Sequence, residues 1–265
     1  MEPIIRLENV SVRFDKQLVL DRINLSLFPQ ETLAIIGESG CGKSVTLKLI
    51  VGLLQPTEGT VYFEGRPLNR MKERELTEMR LRVGFLFQQA ALFDSLSVYD
   101  NIGFGMRARG GVSEAEIQHR VRERLLDVGL QPTAEQKMPA ELSGGMRKRV
   151  GLARALALDP DVMLYDEPTT GLDPIMTDVI NELILLTRRR RPITSIVVTH
   201  EMRTVQKVAS RVVMFYPLMR LGAGEHQVLF DGKPDELENH SDARIRQFVR
   251  GEAQDRLTAR NDWEV

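Results

Sequence analysis

The 265-residue sequence carries 36 basic and 37 acidic side chains, a net charge of −1, and 42% hydrophobic residues. That balance suits one sizeable α/β domain or two small ones, and it supplies no global field to draw in nucleic acid or an anionic membrane. A single cysteine, Cys41, excludes an internal disulfide, and the scatter of four histidines argues against a histidine metal site. Arg6 and Glu8 interrupt any signal-peptide core, and no apolar run approaches the roughly 20 residues that span a bilayer. A soluble, cytoplasmic chain is expected.

Apolar residues over 4–27 come in short alternating bursts: Val10, Val12 and Phe14, then Leu18, Leu20, Ile23, Leu25 and Leu27. This period predicts antiparallel strands with one buried face and a tight turn near Asp15-Lys16. Phe14 reads as a core residue at a strand end, with a platform for a nucleotide base as the sharper alternative. The run 32–36 is continuously apolar, as in a central parallel strand buried on both faces. It leads into Gly37-Glu38-Ser39-Gly40-Cys41-Gly42-Lys43-Ser44, and helical spacing over 45–54 follows at Val45, Leu47, Leu49, Ile50 and Leu53. This is the phosphate-loop pattern G-x-x-x-x-G-K-[ST] in its proper strand-to-helix setting. The glycines let N–H groups turn inward on phosphate oxygens, and the helix adds its positive end. Lys43 would reach the terminal phosphates, and the Ser44 hydroxyl would hold Mg²⁺.

A strand is expected over 59–65 and a solvated helix over 72–82. The buried strand 83–87 ends on Gln88, either a ligand group at the carboxyl edge of the sheet or simply the first residue of a loop. From 97 to 159 strand signals stop, and Ile117, Val121, Leu125, Leu126 and Val128 form one helical stripe. Leu142-Ser143-Gly144-Gly145-Met146 opens a helix ending about Leu158, with Ser143 as N-cap and two glycines exposing N–H groups to an anion. Arg147, Lys148 and Arg149 read mostly as a solvated face.

The strand 162–165 ends in Asp166-Glu167. Downstream of a phosphate loop, Asp166 suits Mg²⁺ and Glu167 suits the deprotonation of an attacking water. Gly171-Leu172-Asp173-Pro174 is a turn before an amphipathic helix, 175–191, whose terminal arginines complement the helix dipole; a nucleic-acid patch is the lesser reading. The strand 195–199 ends on His200, which shares the strand-end position of Gln88 and Asp166 and so suits a γ-phosphate contact. Strands at 211–215 and 227–230 flank a polar bend at 221–226.

Together these motifs resemble the nucleotide-binding ATPase subunit of ABC transporters, over 4–237. The resemblance implies a P-loop NTPase fold, a RecA-like parallel core with an antiparallel β subdomain and an inserted α-helical signature subdomain. It makes 1–240 a single ATPase domain, with the insertion at about 97–159, followed by a helical tail at 241–265. Walker A is Gly37 to Ser44, with Val45 next in the ATP contact, and Walker B is Val162 to Asp166. Glu167 becomes the catalytic carboxylate, His200 the switch histidine, and Gln88 the Q-loop residue beside the metal. Asp173 takes the D-loop position and Phe14 the A-loop position, where a ring stacks on adenine.

The resemblance also implies a head-to-tail dimer with ATP trapped between subunits, Ser143, Gly144 and Gly145 of one subunit capping the γ-phosphate held by the other. The second subunit would be another copy of this chain or a homologous ATPase subunit. The pathway would be a separate integral-membrane permease.

A closer similarity is to the Mla/Mce-type lipid-transport ATPases. It rests on Leu-Ser-Gly-Gly-Met, where many importer ATPases end in Gln, and on Phe85-Leu86-Phe87-Gln88 followed by Ala91-Leu92-Phe93-Asp94-Ser95-Leu96-Ser97-Val98. That family implies phospholipid moved between inner and outer membranes, a small accessory protein, a periplasmic lipid-binding subunit, and a seat on the inner face of the bacterial inner membrane. It also implies a permease groove lined by 90–101, including Leu92, Phe93, Leu96 and Val98. A solute importer, for instance for amino acids, shares the same chemistry. A soluble ABC protein acting on DNA or ribosomes usually carries two cassettes or a long coiled-coil insertion, neither of which is present, so no nucleic-acid partner is expected.

Overall fold

The computed structural model describes residues 2–252. The chain opens with β1 (Ile5–Phe14) and β2 (Gln17–Leu27), a hairpin closed by the Phe14–Gln17 pair across Asp15-Lys16. Next come β3 (Thr32–Gly37), α1 (Lys43–Ile50), β4 (Glu58–Phe63), β5 (Arg66–Pro67), α2 (Glu73–Leu81) and β6 (Val83–Leu86). Three helices follow, α3 (Val98–Arg109), α4 (Glu114–Asp127) and α5 (Gly144–Leu156), and then β7 (Val162–Asp166). The described chain is completed by α6 (Pro174–Arg190), β8 (Thr194–Val198), α7 (Met202–Val208), β9 (Arg211–Phe215), β10 (Val228–Gly232) and α8 (Ala243–Arg250).

The strands form two sheets. One is antiparallel, in the order β2-β1-β4-β5. The other runs β10-β9-β3-β8-β7-β6 and is parallel except for its edge strand β10. Every residue of β3, β7 and β8 is buried, which is why their sequences are continuous rather than alternating. The pleat still sorts side chains between two layers. Leu33, Ile35, Leu164, Ile196, Val198 and Phe215 meet the antiparallel sheet and Leu47, Leu49 and Ile50 of α1. On the opposite face Leu86, Met163, Tyr165 and Val197 meet the helical layer, while Ala34, Ile36, Val212 and Met214 pack with Val205 and Ile245.

Several expectations need correction. Phe14 is not a core residue; it is 45% exposed. Leu126 leaves the predicted stripe and is 57% exposed, because α4 needs only Ile117, Val121 and Leu125 to cover its neighbours. Leu53 lies beyond the end of α1 and is exposed. Val98, expected on an open groove, is fully buried in the helical layer. The seven-residue α7 carried no periodic signal, being too short for one. Arg190 and Arg191 pair with Asp127 and Asp159, so these two arginines also tie α6 to neighbouring elements. Of the expected tail, α8 is described, and 253–265 lies outside the described residues.

The two leucines make a direct test. Leu164→Ala removes a fully buried side chain between two layers and should cost about 2–5 kcal/mol, read as a lower urea midpoint at unchanged slope. Leu126→Ala, on the exposed side of α4, should stay within about 0.5 kcal/mol of the parent.

Candidate nucleotide site

Parallel register sets the site. Ile35 lies opposite Val198, and Val198 opposite Asp166, so β8 and β7 end at one level and β3 runs two residues further, to Gly37, at the same edge of the sheet. The chain turns out of β3 at Gly37, with φ at +143°; a Cβ there would sit 2.2 Å from the Phe215 carbonyl oxygen. Ser39 and Gly40 are exposed at the loop tip, while Cys41 is buried and burial pushes its thiol pKa up. Gly42, with φ at 95°, caps α1. The Lys43 ammonium is buried within the loop and donates to the carbonyl oxygens of Gly37 and Glu38, both at 2.8 Å. Val45 is half-buried against the main core.

The Ser44 hydroxyl donates to Asp166 Oδ1 at 2.8 Å, which joins the start of α1 to the end of β7. Burial pushes the Asp166 carboxyl pKa up, and the bond from Ser44 partly offsets it. A hydroxyl and a carboxylate side by side are hard oxygen donors, the set that fits Mg²⁺ held together with phosphate oxygens. Glu167 adopts φ at +48° and its N–H donates to the Val198 carbonyl at 2.9 Å. Its Oε2 accepts from Thr170 Oγ1 at 3.0 Å and lies 2.8 Å from His200 Nδ1.

Other predicted residues stand apart from this cluster. Gln88 is exposed in the turn after β6 and, among the described residues, makes no hydrogen bond to Ser44 or Asp166. Ser143 caps α5 by accepting from Met146 N at 3.3 Å, with Gly144 exposed beside it. Asp173 caps α6 by accepting from Ile175 N and Met176 N, both at 2.9 Å. The two caps are neighbours: a Cβ on Gly145 would meet the Met176 side chain at 2.7 Å.

Lys148 does not belong to a solvated face. It is buried, and its Nζ donates to the Glu167 carbonyl at 3.0 Å. Sequence reasoning also missed the contacts that brace the phosphate loop. Buried Gln227 donates to the carbonyls of Cys41 and Val19, both at 3.0 Å, and accepts from Asp21 N at 2.9 Å. Arg220, on the bend after β9, grips both carboxylate oxygens of Glu38 at 2.9 and 3.0 Å. Behind Glu167, Thr169 donates to Glu201 at 2.7 Å, and Glu201 also receives Thr204, itself bonded to Asn181. Buried polar side chains were the available signal, but no sequence spacing announces partners so distant.

A sheet whose carboxyl edge gathers a phosphate loop, a buried carboxylate and a carboxylate–histidine pair describes an ATP-binding-cassette ATPase. Residues 20–170 match the sequence model of the family described as ABC transporter; the chain belongs to that family, binds ATP and is an ATPase. It is 38% identical to the intermembrane phospholipid transport system ATP-binding protein MlaF of Haemophilus influenzae, over 94% of this chain and 91% of that protein. It is 40% identical to the methionine import ATP-binding protein MetN of Carboxydothermus hydrogenoformans, over 75% of this chain and 58% of that protein. Among solved structures, it superposes at a TM-score of 0.77 and 32% identity on the dimeric post-hydrolysis state of the ATP-binding cassette MJ0796 bound to ADP and Pi, covering 87% of this chain and 98% of that one.

The loop glycines differ sharply in what they tolerate. Gly40→Ala meets open space and should cost only the left-handed backbone penalty, about 1–2 kcal/mol. Gly37→Ala collides with the backbone of β9 and should cost on the order of 3 kcal/mol, with lost ATP binding in titration calorimetry.

Proposed function

We propose that this chain powers the movement of phospholipid or a related lipid between the inner and outer membranes of a bacterium. It is the ATP-hydrolysing subunit, seated on the inner face of the inner membrane against a separate permease. The observation that supports the lipid reading is similarity to a phospholipid-transport ATPase across nearly the whole chain. Among the described residues, no helix is long and apolar enough to cross a membrane, in keeping with a pathway built by another polypeptide.

In this reading the Gly37–Ser44 loop wraps the triphosphate, with Lys43 aimed at its terminal oxygens and the Phe14 ring against adenine. Ser44 and Asp166 would hold Mg²⁺, with Gln88 approaching it when the permease engages; the ion supplies charge neutralisation on the β- and γ-phosphates. Glu167 accepts a proton from the attacking water, and the His200 imidazole, 2.8 Å from its carboxylate, keeps that group oriented. Ser143, Gly144 and Gly145 act on the ATP of a second copy or a homologous subunit, and Asp173 fixes the neighbouring turn.

The permease docks at the loop after β6. Phe93 is 43% exposed there and its ring lies 4.7 Å from that of exposed Phe104, a small exposed apolar patch. Asn101 holds the loop's shape through bonds to Phe93, Leu96 and Ser97.

Import of a small solute is the second reading, favoured by the similarity to a methionine-import ATPase. The two separate on cargo. Reconstituted with its membrane subunit, the chain's ATPase activity should rise with phospholipid and ignore amino acids; the reverse pattern would make it an importer subunit.

Glu167→Gln keeps shape but removes the base, so kcat should fall roughly 10²–10⁴-fold while ATP binding persists. Near-parental turnover would mean that Glu167 is not the base. Phe93→Asp should leave the isolated chain's ATPase activity intact and abolish capture of the permease in a pull-down. Normal capture would move the docking surface elsewhere.

A further inference from the structure

Three successive cations, Arg147, Lys148 and Arg149, open the second turn of α5, and they do not share one fate. Arg147 is exposed, whereas Lys148 is only 5% exposed. A lysine this deep is rare, since stripping water from an ammonium is expensive unless partners replace it. Its Nζ donates to the backbone carbonyl of Glu167 at 3.0 Å. Burial pushes the lysine pKa down, against the carboxylates of Glu167, Asp166 and Glu201, which favour the charged form.

The residue it holds is held in an unusual shape. Glu167 has φ at +48°, a left-handed backbone that costs a non-glycine residue about 1 kcal/mol or more and persists only where its surroundings impose it. Four of its anchors come from the core side: its N–H donates to Val198, its carbonyl accepts from Thr170 N at 3.3 Å, and its carboxylate meets Thr170 and His200. The fifth is Lys148, a shorter bond to the same carbonyl, and it alone comes from the helix capped by Ser143, about one and a half turns away. With its N–H held by Val198 and its carbonyl held by Lys148, the peptides on both sides of the Glu167 Cα are fixed, and with them the direction in which its side chain leaves the backbone.

We propose that Lys148 is a positioning residue for hydrolysis: its ammonium pins the Glu167 carbonyl, so that the carboxylate is aimed at the attacking water only while α5 sits in this place against the sheet. The helix that carries Ser143 toward a partner's nucleotide thus also sets the geometry of its own subunit's base. The proposal rests on Glu167 being that base.

The test uses the full-length chain and three variants. Lys148→Met keeps length and removes the donor, Lys148→Arg keeps a charged donor, and Lys148→Gln keeps a neutral one. Lys148→Met should lower kcat about 10- to 100-fold, with KM and the Kd for ATP within about threefold of the parent. Lys148→Arg or Lys148→Gln should recover part of the loss. In a Glu167→Gln background, Lys148→Met should change the residual rate by less than about threefold, because both changes disable one device. Parental kcat in Lys148→Met would overturn the proposal. So would an equal fractional loss with and without Glu167→Gln, or a loss confined to ATP affinity. Should Lys148→Met not fold, a Lys148→Leu chain with the parental melting temperature, which also lacks the donor, carries the same comparison. Failure of the base assignment is read separately, from the rate of Glu167→Gln alone.

Discussion

Parallel pairing of β3, β8 and β7 in a single register is the constraint on which the site depends. All three strands are buried on both faces, so a slip of one residue would turn Leu33 and Ile35 into the wrong layer and exchange every neighbour at once. The core therefore fixes the level at which each strand ends. Asp166 arrives within 2.8 Å of a serine 122 residues earlier, and His200 meets Glu167, without any polar interaction having to choose the fold. Apolar packing does the selecting, and the polar residues take positions that it has already defined.

A second level of organisation lies in α5, which does more than carry a glycine-rich start. Two of its cations reach back to the sheet edge, Lys148 to the Glu167 carbonyl and Arg154 to the carbonyls of Ala90 and Ala91, both at 2.7 Å. All three recipients have positive φ without being glycine. Backbone shapes that local preference disfavours are thus held by long side chains from one helix, which joins the helical layer to the ends of β6 and β7.

The architecture and the phosphate loop were legible because they rest on local patterns. Continuous apolar runs announced buried strands, and the glycine spacing announced the turn out of β3. The Asp166-Glu167 pair was legible through its place at a strand end. Phe14, Leu126 and Lys148 were misread for one shared reason: each has a neighbourhood decided by distant segments. Phe14 is apolar yet stands at a hairpin tip with nothing to cover it, and Lys148 is charged yet finds a carbonyl beneath it. Gln227 and Arg220 gave no signal at all, since their partners lie 186 and 182 residues away in the chain.

Those last two contacts bear on how the chain comes into being. The phosphate loop is among the first parts to leave the ribosome, yet β3 takes its pairing partners from β8 and β9, and the loop takes its braces from Gln227 and Arg220. Such long-range closure is slow and comes late, because the entropy of ordering the intervening chain must be met first. A nascent cassette therefore holds the motif without the pocket. The pocket takes shape only when segments as far along the chain as Arg220 and Gln227 are available to pack against it.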